Sequence, residues 1–358
     1  MIGNNESRLK KVAGFDIPCV EGWIKENIGN LLPPFEWFPL DGGHSNLTYR
    51  LKDIHGRQVV IRRPPVGELL PGAHDMRREW KLISSLSRAG FKVPRALGYC
   101  DNTNISDASF YIMSLIEGYT LHNSKQVIER VSEGKRVVLA HSLIDTLANL
   151  HAIIPDEVEL GDLGKKDNYL GRQLKTWYRS WVSSVQSAQY DDTRAHELQQ
   201  YFLNHMPKQN FVRVVHGDYG LHNCLIGSDA RILGVIDWEI ATLGDPLADL
   251  GYILKSWPET KEDISANPAG VFSAGGFPCR SEMAKRYSDH TGFNISEIDI
   301  YIGFNWWKSA AILHGVYARY LEGKKNSKGV DLENLRRRIG SALDAAEQTI
   351  NEYKRKCT

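Results

Sequence analysis

The sequence predicts an α+β chain in which a small β-rich lobe carrying one helix precedes a larger lobe that is mainly helical. Three observations carry this. β-branched and aromatic residues between turn formers dominate 36–61, two more strand-like runs follow before residue 116, and helical spacing prevails afterwards. The length of 358 residues suits roughly two domains or one lobed enzyme. With 42% apolar and 24% charged residues, global disorder, collagen-like repetition and a coiled coil are excluded.

Taken in order, Glu36–Ile61 reads as a meander of hairpins: EWFPL, a Gly-Gly turn, NLTYRL, the turn DIHGR, then QVVIRR. Ala73–Ala89 places Met76, Trp80, Ile83 and Leu86 at helical spacing, with Gly90 where a C-cap belongs. Strands are expected at Lys92–Tyr99 and Ser109–Leu115, and the β signal stops at Glu117-Gly118. Residues 1–116 are therefore expected to form a five-stranded antiparallel sheet plus one helix, and 117–358 the helical lobe. In the second lobe helices are expected at Gly134–Ala152, over NYLGRQLKTWYRSW, and at Ala195–His205. From Val212 three short apolar runs alternate with polar turns, and a helix starts near Pro246. Helices then resume around a Gly/Pro-rich loop near 267–278 and a basic stretch at 323–329.

Lys+Arg 44 against Asp+Glu 43 leaves a net charge of +1, which removes the broad basic surface of a non-specific nucleic-acid binder. The five cysteines (Cys19, Cys100, Cys224, Cys279 and Cys357) show neither a CxxC pair nor a regular interval, so a reducing, cytoplasmic setting is expected. The polar N-terminus lacks a signal-peptide core, and the longest apolar stretches break before the ~18 residues of a membrane span.

The chemistry concentrates in HGDYGLHN, His216–Asn223, and IDWE, Ile236–Glu239. An acid, an amide five residues on, and an acid fourteen residues beyond that suit phosphoryl transfer from a magnesium nucleotide. One carboxylate takes the proton of the attacking hydroxyl, and hard oxygens hold Mg²⁺ against the phosphates. Asp218, Asn223 and Asp237 supply those three roles. A zinc hydrolase built on His216 and His222 lacks HExxH or any compact His/Cys cluster. Cys224 is expected to be a buried, inert thiol.

HGDYGLHN, IDWE and GDPLADLGY in that order resemble the aminoglycoside phosphotransferase family, small-molecule kinases with a protein-kinase-like fold. The match is closest to the phosphotransferase domains attached to, or encoded near, acyl-CoA dehydrogenases, over roughly residues 36–320. The resemblance implies ATP (or GTP) and Mg²⁺, with Asp218 as base and Asn223 and Asp237 as metal ligands. It makes DGGHSNLTYRL a phosphate loop through Gly42, Gly43, His44 and Ser45. Arg62 in VVIRRP then stands where kinase-like folds place a lysine, with Glu79 on the following helix as its partner. Ser114 and Leu115 join the nucleotide contacts. His216 is expected to prop the catalytic loop and Asp249 to hold its backbone, whereas Asp245 starts the helix that Pro246 enters.

Two aromatic stretches, NYLGRQLKTWYRSW and FNWWKSAAILHGVYARY, resemble segments of the acyl-CoA-dehydrogenase-associated relatives. Trp177 and Trp181 at four-residue spacing read as core. Arg172, Gln173, Lys308 and Arg319 are candidates for the acceptor, and few acids accompany them, so a neutral or anionic hydroxyl compound is favoured over a polycation. A hydroxy acid or hydroxyacyl thioester is the first expectation. The rivals are a true aminoglycoside kinase, a nucleotide-binding pseudokinase, against which the intact base and metal ligands argue, and a protein kinase, which the absence of HRD and APE disfavours.

Overall fold

The computed structural model describes residues 12–40, 46–67, 75–266, 269–324 and 329–357. The elements in chain order are α1 (Ile17–Asn27), β1 (Glu36–Pro39), β2 (Leu47–Lys52), β3 (Gln58–Arg63), α2 (Met76–Arg88), β4 (Ala96–Cys100), β5 (Phe110–Ser114), α3 (Ser124–Arg130), α4 (Glu133–Ala152), α5 (Tyr169–Ala188) and α6 (Thr193–His205). They continue as β6 (Arg213–Val215), β7 (Cys224–Ile226), β8 (Ile232–Val235), β9 (Thr242–Gly244), α7 (Leu247–Leu254), α8 (Lys261–Ala266), α9 (Arg280–Thr291), α10 (Ile298–Leu321) and α11 (Leu332–Cys357). Two compact units result. The first takes Met1–His122, Asp156–Leu163 and Leu221–Ile240; the second takes Asn123–Pro155, Gly164–Gly220 and Ala241–Thr358. The first unit thus runs past residue 116 and recruits two later segments, one of them the β7–β8 hairpin.

In the first unit the sheet is antiparallel with strand order β1-β2-β3-β5-β4. β3 lies at its centre, and alternation sorts its side chains between two faces. Val59 and Ile61 enter a core with Val20 and Ile24 of α1, Trp37, Leu51 and Phe110. Arg62 is offset by one residue and points to the face where α2 lies, and there it pairs with Glu79. Arg63, back on the α1 side, donates to the Gly14 carbonyl and to Asp107. Helix α1 adds a second helix to the one expected. Its entry is written in the chain: Asp16 accepts from the Cys19 N–H at 3.2 Å, and Pro18 occupies the first turn. β4 begins at Ala96 rather than Lys92. Pro94 has no N–H for a ladder, and the Lys92 carbonyl is already taken by the Val235 N–H at 2.8 Å.

The second unit is built around α10. Its residues Ile300, Tyr301, Phe304, Trp307, Ala311, His314 and Ala318 are buried, and α5, α7 and α11 pack on it. A helix apolar on most of its circumference belongs at the centre of a bundle. α7 and α10 approach unusually closely because position 251 is glycine. A Cβ there would stand 2.7 Å from the Tyr301 Cβ and 2.9 Å from its carbonyl carbon, both part of α10. Among the described residues no helix is long and apolar enough to cross a membrane.

Gly251→Ala should therefore destabilise the protein by ~1–3 kcal/mol, as overpacking of a close contact does. Urea unfolding measures it; an unchanged midpoint would mean that α7 can retreat from α10 without loss.

Candidate active site

The first unit brings together several residues expected to meet phosphate or metal. Arg62 is nearly buried, and its guanidinium meets three carboxylates: Glu79 through Nε at 3.4 Å, Asp237 through Nη2 at 2.9 Å, and Glu239 at 4.0 Å. Burial opposes the Arg62 charge, while Glu79, Tyr111 and Asp237 raise its affinity for the proton, with a net upward shift. Glu79 is only 4% exposed. Burial drives its carboxyl above the ordinary range against the pull of Arg62, so the pair is held by packing as much as by Coulomb attraction. The Glu79 partner lies in the first turn of α2, whose N-cap Asp75 accepts from the Arg78 N–H at 3.0 Å.

Asn223 and Asp237 are brought together by the β7–β8 hairpin. Cys224 pairs with Val235 in the ladder, and the Ile236 N–H donates to the Asn223 carbonyl at 2.9 Å. The two residues thus flank one hairpin end although fourteen positions separate them. Asp237 sits at φ +67°, a left-handed conformation uncommon for a residue with a side chain. Such backbone is retained where the surroundings impose it, often at functional sites. Two hard-oxygen side chains suit Mg²⁺, which takes few protein oxygens and leaves other positions to phosphates and water. Among the described residues no group of three or more His, Cys, Asp or Glu converges as a metal cluster. Cys224 is fully buried at the start of β7.

Glu239 closes the IDWE segment. Here its Oε2 accepts from the buried Asn46 amide at 3.3 Å beside Arg62. Gly42, Gly43, His44 and Ser45 lie outside the described residues. Ser114 closes β5, and its Oγ accepts from the Arg95 N–H at 2.8 Å; Leu115 follows, partly exposed.

The second unit carries His216–Gly220, the loop expected to be catalytic. Asp249, on α7 and 1% exposed, accepts from the His216 N–H at 2.6 Å and the Gly217 N–H at 2.9 Å. His151 Nε2 lies 3.5 Å from the same carboxylate. The buried His216 presents Nδ1 to the Asp218 N–H at 3.3 Å, and Tyr219 anchors the loop by donating to the Leu143 carbonyl at 2.7 Å. Gly217 has φ +84°, which a glycine adopts without strain. Asp245 is buried; it accepts from the Leu247 N–H at 3.0 Å and from the Tyr301 hydroxyl at 2.8 Å, one position ahead of the cap residue Pro246.

Asp218 itself accepts from the Tyr252 hydroxyl at 2.5 Å. Tyr252 is one turn beyond Asp249, so a single helix face holds both the loop backbone and its carboxylate. Burial, and then the Asp218 charge, hold the Tyr252 phenol well above its ordinary value, which keeps it a donor. Lys255, next on that face, donates to Ser309 Oγ at 2.6 Å. Its Nζ lies 4.1 Å from the Tyr252 ring centroid and 5.5 Å from that of Trp306. Burial and the neighbouring Lys308 charge push Lys255 down to about 7.

The four acceptor candidates separate. Lys308 and Gln173 line a small cavity with Tyr169, Gly217, Asp249 and Tyr252, and burial lowers the Lys308 pKa. Gln173 Oε1 accepts from Trp177 Nε1 at 3.0 Å. Arg172 is turned to the preceding loop, donating to the Lys165 carbonyl at 2.9 Å with Asp167 at 3.9 Å. Arg319 is exposed in the last turn of α10, roughly 16 Å along the helix axis from Lys308 at 1.5 Å per residue. Trp181 is fully buried, as core, while Trp177 is half-buried. Tyr252 and Lys255 were not singled out from the sequence, although Tyr252 ends the GDPLADLGY segment at helical spacing from Asp249.

The model of the phosphotransferase enzyme family matches residues 36–284. The chain is 30% identical over 328 residues to acyl-CoA dehydrogenase family member 10 of Mus musculus, a match covering 90% of this chain and 30% of that protein. It thus spans under a third of that relative's length. A crystal structure from Ralstonia eutropha, provisionally assigned to the aminoglycoside phosphotransferases, superposes with a TM-score of 0.80 at 24% identity over 94% of this chain and 99% of the other. The crystal structure of a spectinomycin phosphotransferase in complex with ADP and spectinomycin gives 0.60 at 12% identity, over 92% and 97%. At these identities both structures speak for the fold.

Arg62→Met should cost ~3–5 kcal/mol near neutral pH, because it strands a buried carboxylate. Glu79 would then titrate further above its ordinary 4.5. A carboxyl whose folded pKa is raised contributes stability below the unfolded value and loses it as pH rises through the folded one. Unfolding at about pH 4 and about pH 7.5 should show the deficit mainly at the higher pH; an equal deficit at both would detach Glu79 from the effect.

Asp249→Ala should lower stability by ~1–3 kcal/mol for the backbone donors left unpaired, and activity with it. Activity retained in full at a temperature where the variant stays folded would deny Asp249 any hold on the loop.

Proposed function

This chain belongs to the phosphotransferase enzyme family, and from that premise we propose that it transfers the γ-phosphoryl group of ATP (or GTP) to a hydroxyl of a small molecule. Asp218 orients that hydroxyl and accepts its proton as the oxygen attacks phosphorus. Tyr252 fixes the carboxylate by donating to Oδ1. Arg62, held by Glu79, contacts the phosphates, and Asn223 with Asp237 holds the metal. Bound Mg²⁺ would neutralise phosphate charge and orient the leaving group. The observation that carries this reading is the β7–β8 hairpin, which sets Asn223 beside Asp237 while Arg62 reaches Asp237 from β3.

The acceptor is a neutral or anionic hydroxyl compound, with a hydroxy acid or a hydroxyacyl thioester as first choice. The acyl-CoA dehydrogenase in the name of the Mus musculus relative supports that choice, as do the cations on α7 and α10.

Asp218→Asn should reduce phosphoryl transfer by at least ~10²-fold, the lower end of what a general base contributes, and leave nucleotide affinity in place. Turnover within tenfold of wild type would remove Asp218 as base. Asp237→Ala should instead weaken binding of Mg²⁺-ATP in a calorimetric titration. Metal-dependent ADP release with a panel of hydroxyl compounds, above the rate without them, tests the reaction itself.

A further inference from the structure

The second unit holds two cations beside Asp218 that no carboxylate pairs with. Among the described residues neither Lys255 nor Lys308 has an acidic oxygen within 4.0 Å, unlike Lys81 with Asp162 or Lys285 with Asp289. Lys255 meets only a hydroxyl and two aromatic faces. Lys308, on the neighbouring turn of α10, has Trp177 at 5.9 Å from Nζ to ring centroid. Asp249 and Asp218 favour the Lys308 charge, while Lys308 disfavours and Asp218 favours that of Lys255. Both lysines are partly exposed, and a carboxylate placed between them would offset their mutual repulsion.

We infer that Lys255 and Lys308 form the specificity subsite of the acceptor, taking a carboxylate borne by the same molecule that presents its hydroxyl to Asp218. This rests on the phosphotransferase reading. Tyr252 and Lys308 line one small cavity, and the ring faces of Tyr252, Trp306 and Trp177 lie against the two lysines, offering apolar surface to the carbon chain joining the two groups. Tyr252 links the subsite to the reacting end: its hydroxyl holds Asp218 and its ring lies under Lys255. A polycation would meet both ammonium groups and be repelled.

The test compares ω-hydroxy acids of three to eight carbons with diols of the same length, by ADP release and by quenching of tryptophan fluorescence. Quenching reads binding whether or not turnover occurs, because Trp177 and Trp306 flank the lysines. Wild type should prefer the acids over the diols by at least 10²-fold in one chain-length range. Lys255→Met and Lys308→Met should each reduce that ratio at least tenfold, while Lys255→Arg and Lys308→Arg keep part of it. Thermal melting of both methionine variants, expected to stay near that of wild type, separates lost selectivity from unfolding. Equal use and binding of acids and diols by wild type, or full acid preference in both methionine variants, would overturn the subsite. If acids bind selectively yet nothing is phosphorylated, the subsite stands and the phosphotransferase reading falls; if diols alone are phosphorylated, the reverse holds.

Discussion

The second unit depends on one carboxylate. Asp249 receives the His216 and Gly217 N–H groups in a setting with almost no water, where an unmet donor is costly and a charge-assisted bond is strong. It fixes the backbone just ahead of Asp218, and the same helix supplies the Tyr252 hydroxyl to the Asp218 side chain. The loop is thus held at two levels by a single element. That element is itself held against α10 at Gly251, where nothing larger than hydrogen fits beside Tyr301. A substitution that looks like a packing change at position 251 therefore reaches the Asp218 carboxylate through the adjacent Tyr252.

The first unit solves a different problem with the same economy. Arg62 is a cation surrounded by acids on the buried face of a central strand. Placing it there costs desolvation, which the α2 carboxylate and the hairpin carboxylate offset together. Arginine suits this position better than lysine would: its planar fork can address separate carboxylates through Nε and Nη2 at once. Its position between Asp237 and Glu239 keeps two like-charged side chains from facing each other unscreened.

Much of this was legible because the sequence signals are local. The period-two pattern of QVVIRR, the helical spacing of Met76, Ile83 and Leu86, and the order of HGDYGLHN, IDWE and GDPLADLGY each declare themselves within a few residues. Helix α1 was legible too, since Asp16, Pro18, Val20 and Ile24 form a start signal and an apolar face. Lys255 was not legible, because a lysine at a helix C-terminus ordinarily means a solvated charge favoured by the helix dipole. Its meaning comes from Trp306 and Ser309, which lie some fifty positions on and reach it only when α7 and α10 pack. Arg319 shows the converse: the same stretch that supplies Lys308 carries it, yet a helix of 24 residues puts its two ends in different surroundings.

The hairpin between Asn223 and Asp237 also bears on how such sites change over time. What the ladder holds constant is the pairing of Cys224 with Val235, whereas the turn from Gly227 to Arg231 merely reverses the chain. Residues could be inserted at that turn without displacing either oxygen donor, because loop closure grows only slowly more costly with length. An interval of fourteen is then an accident of one turn, and a pattern search keyed to that interval would overlook chains whose chemistry is the same.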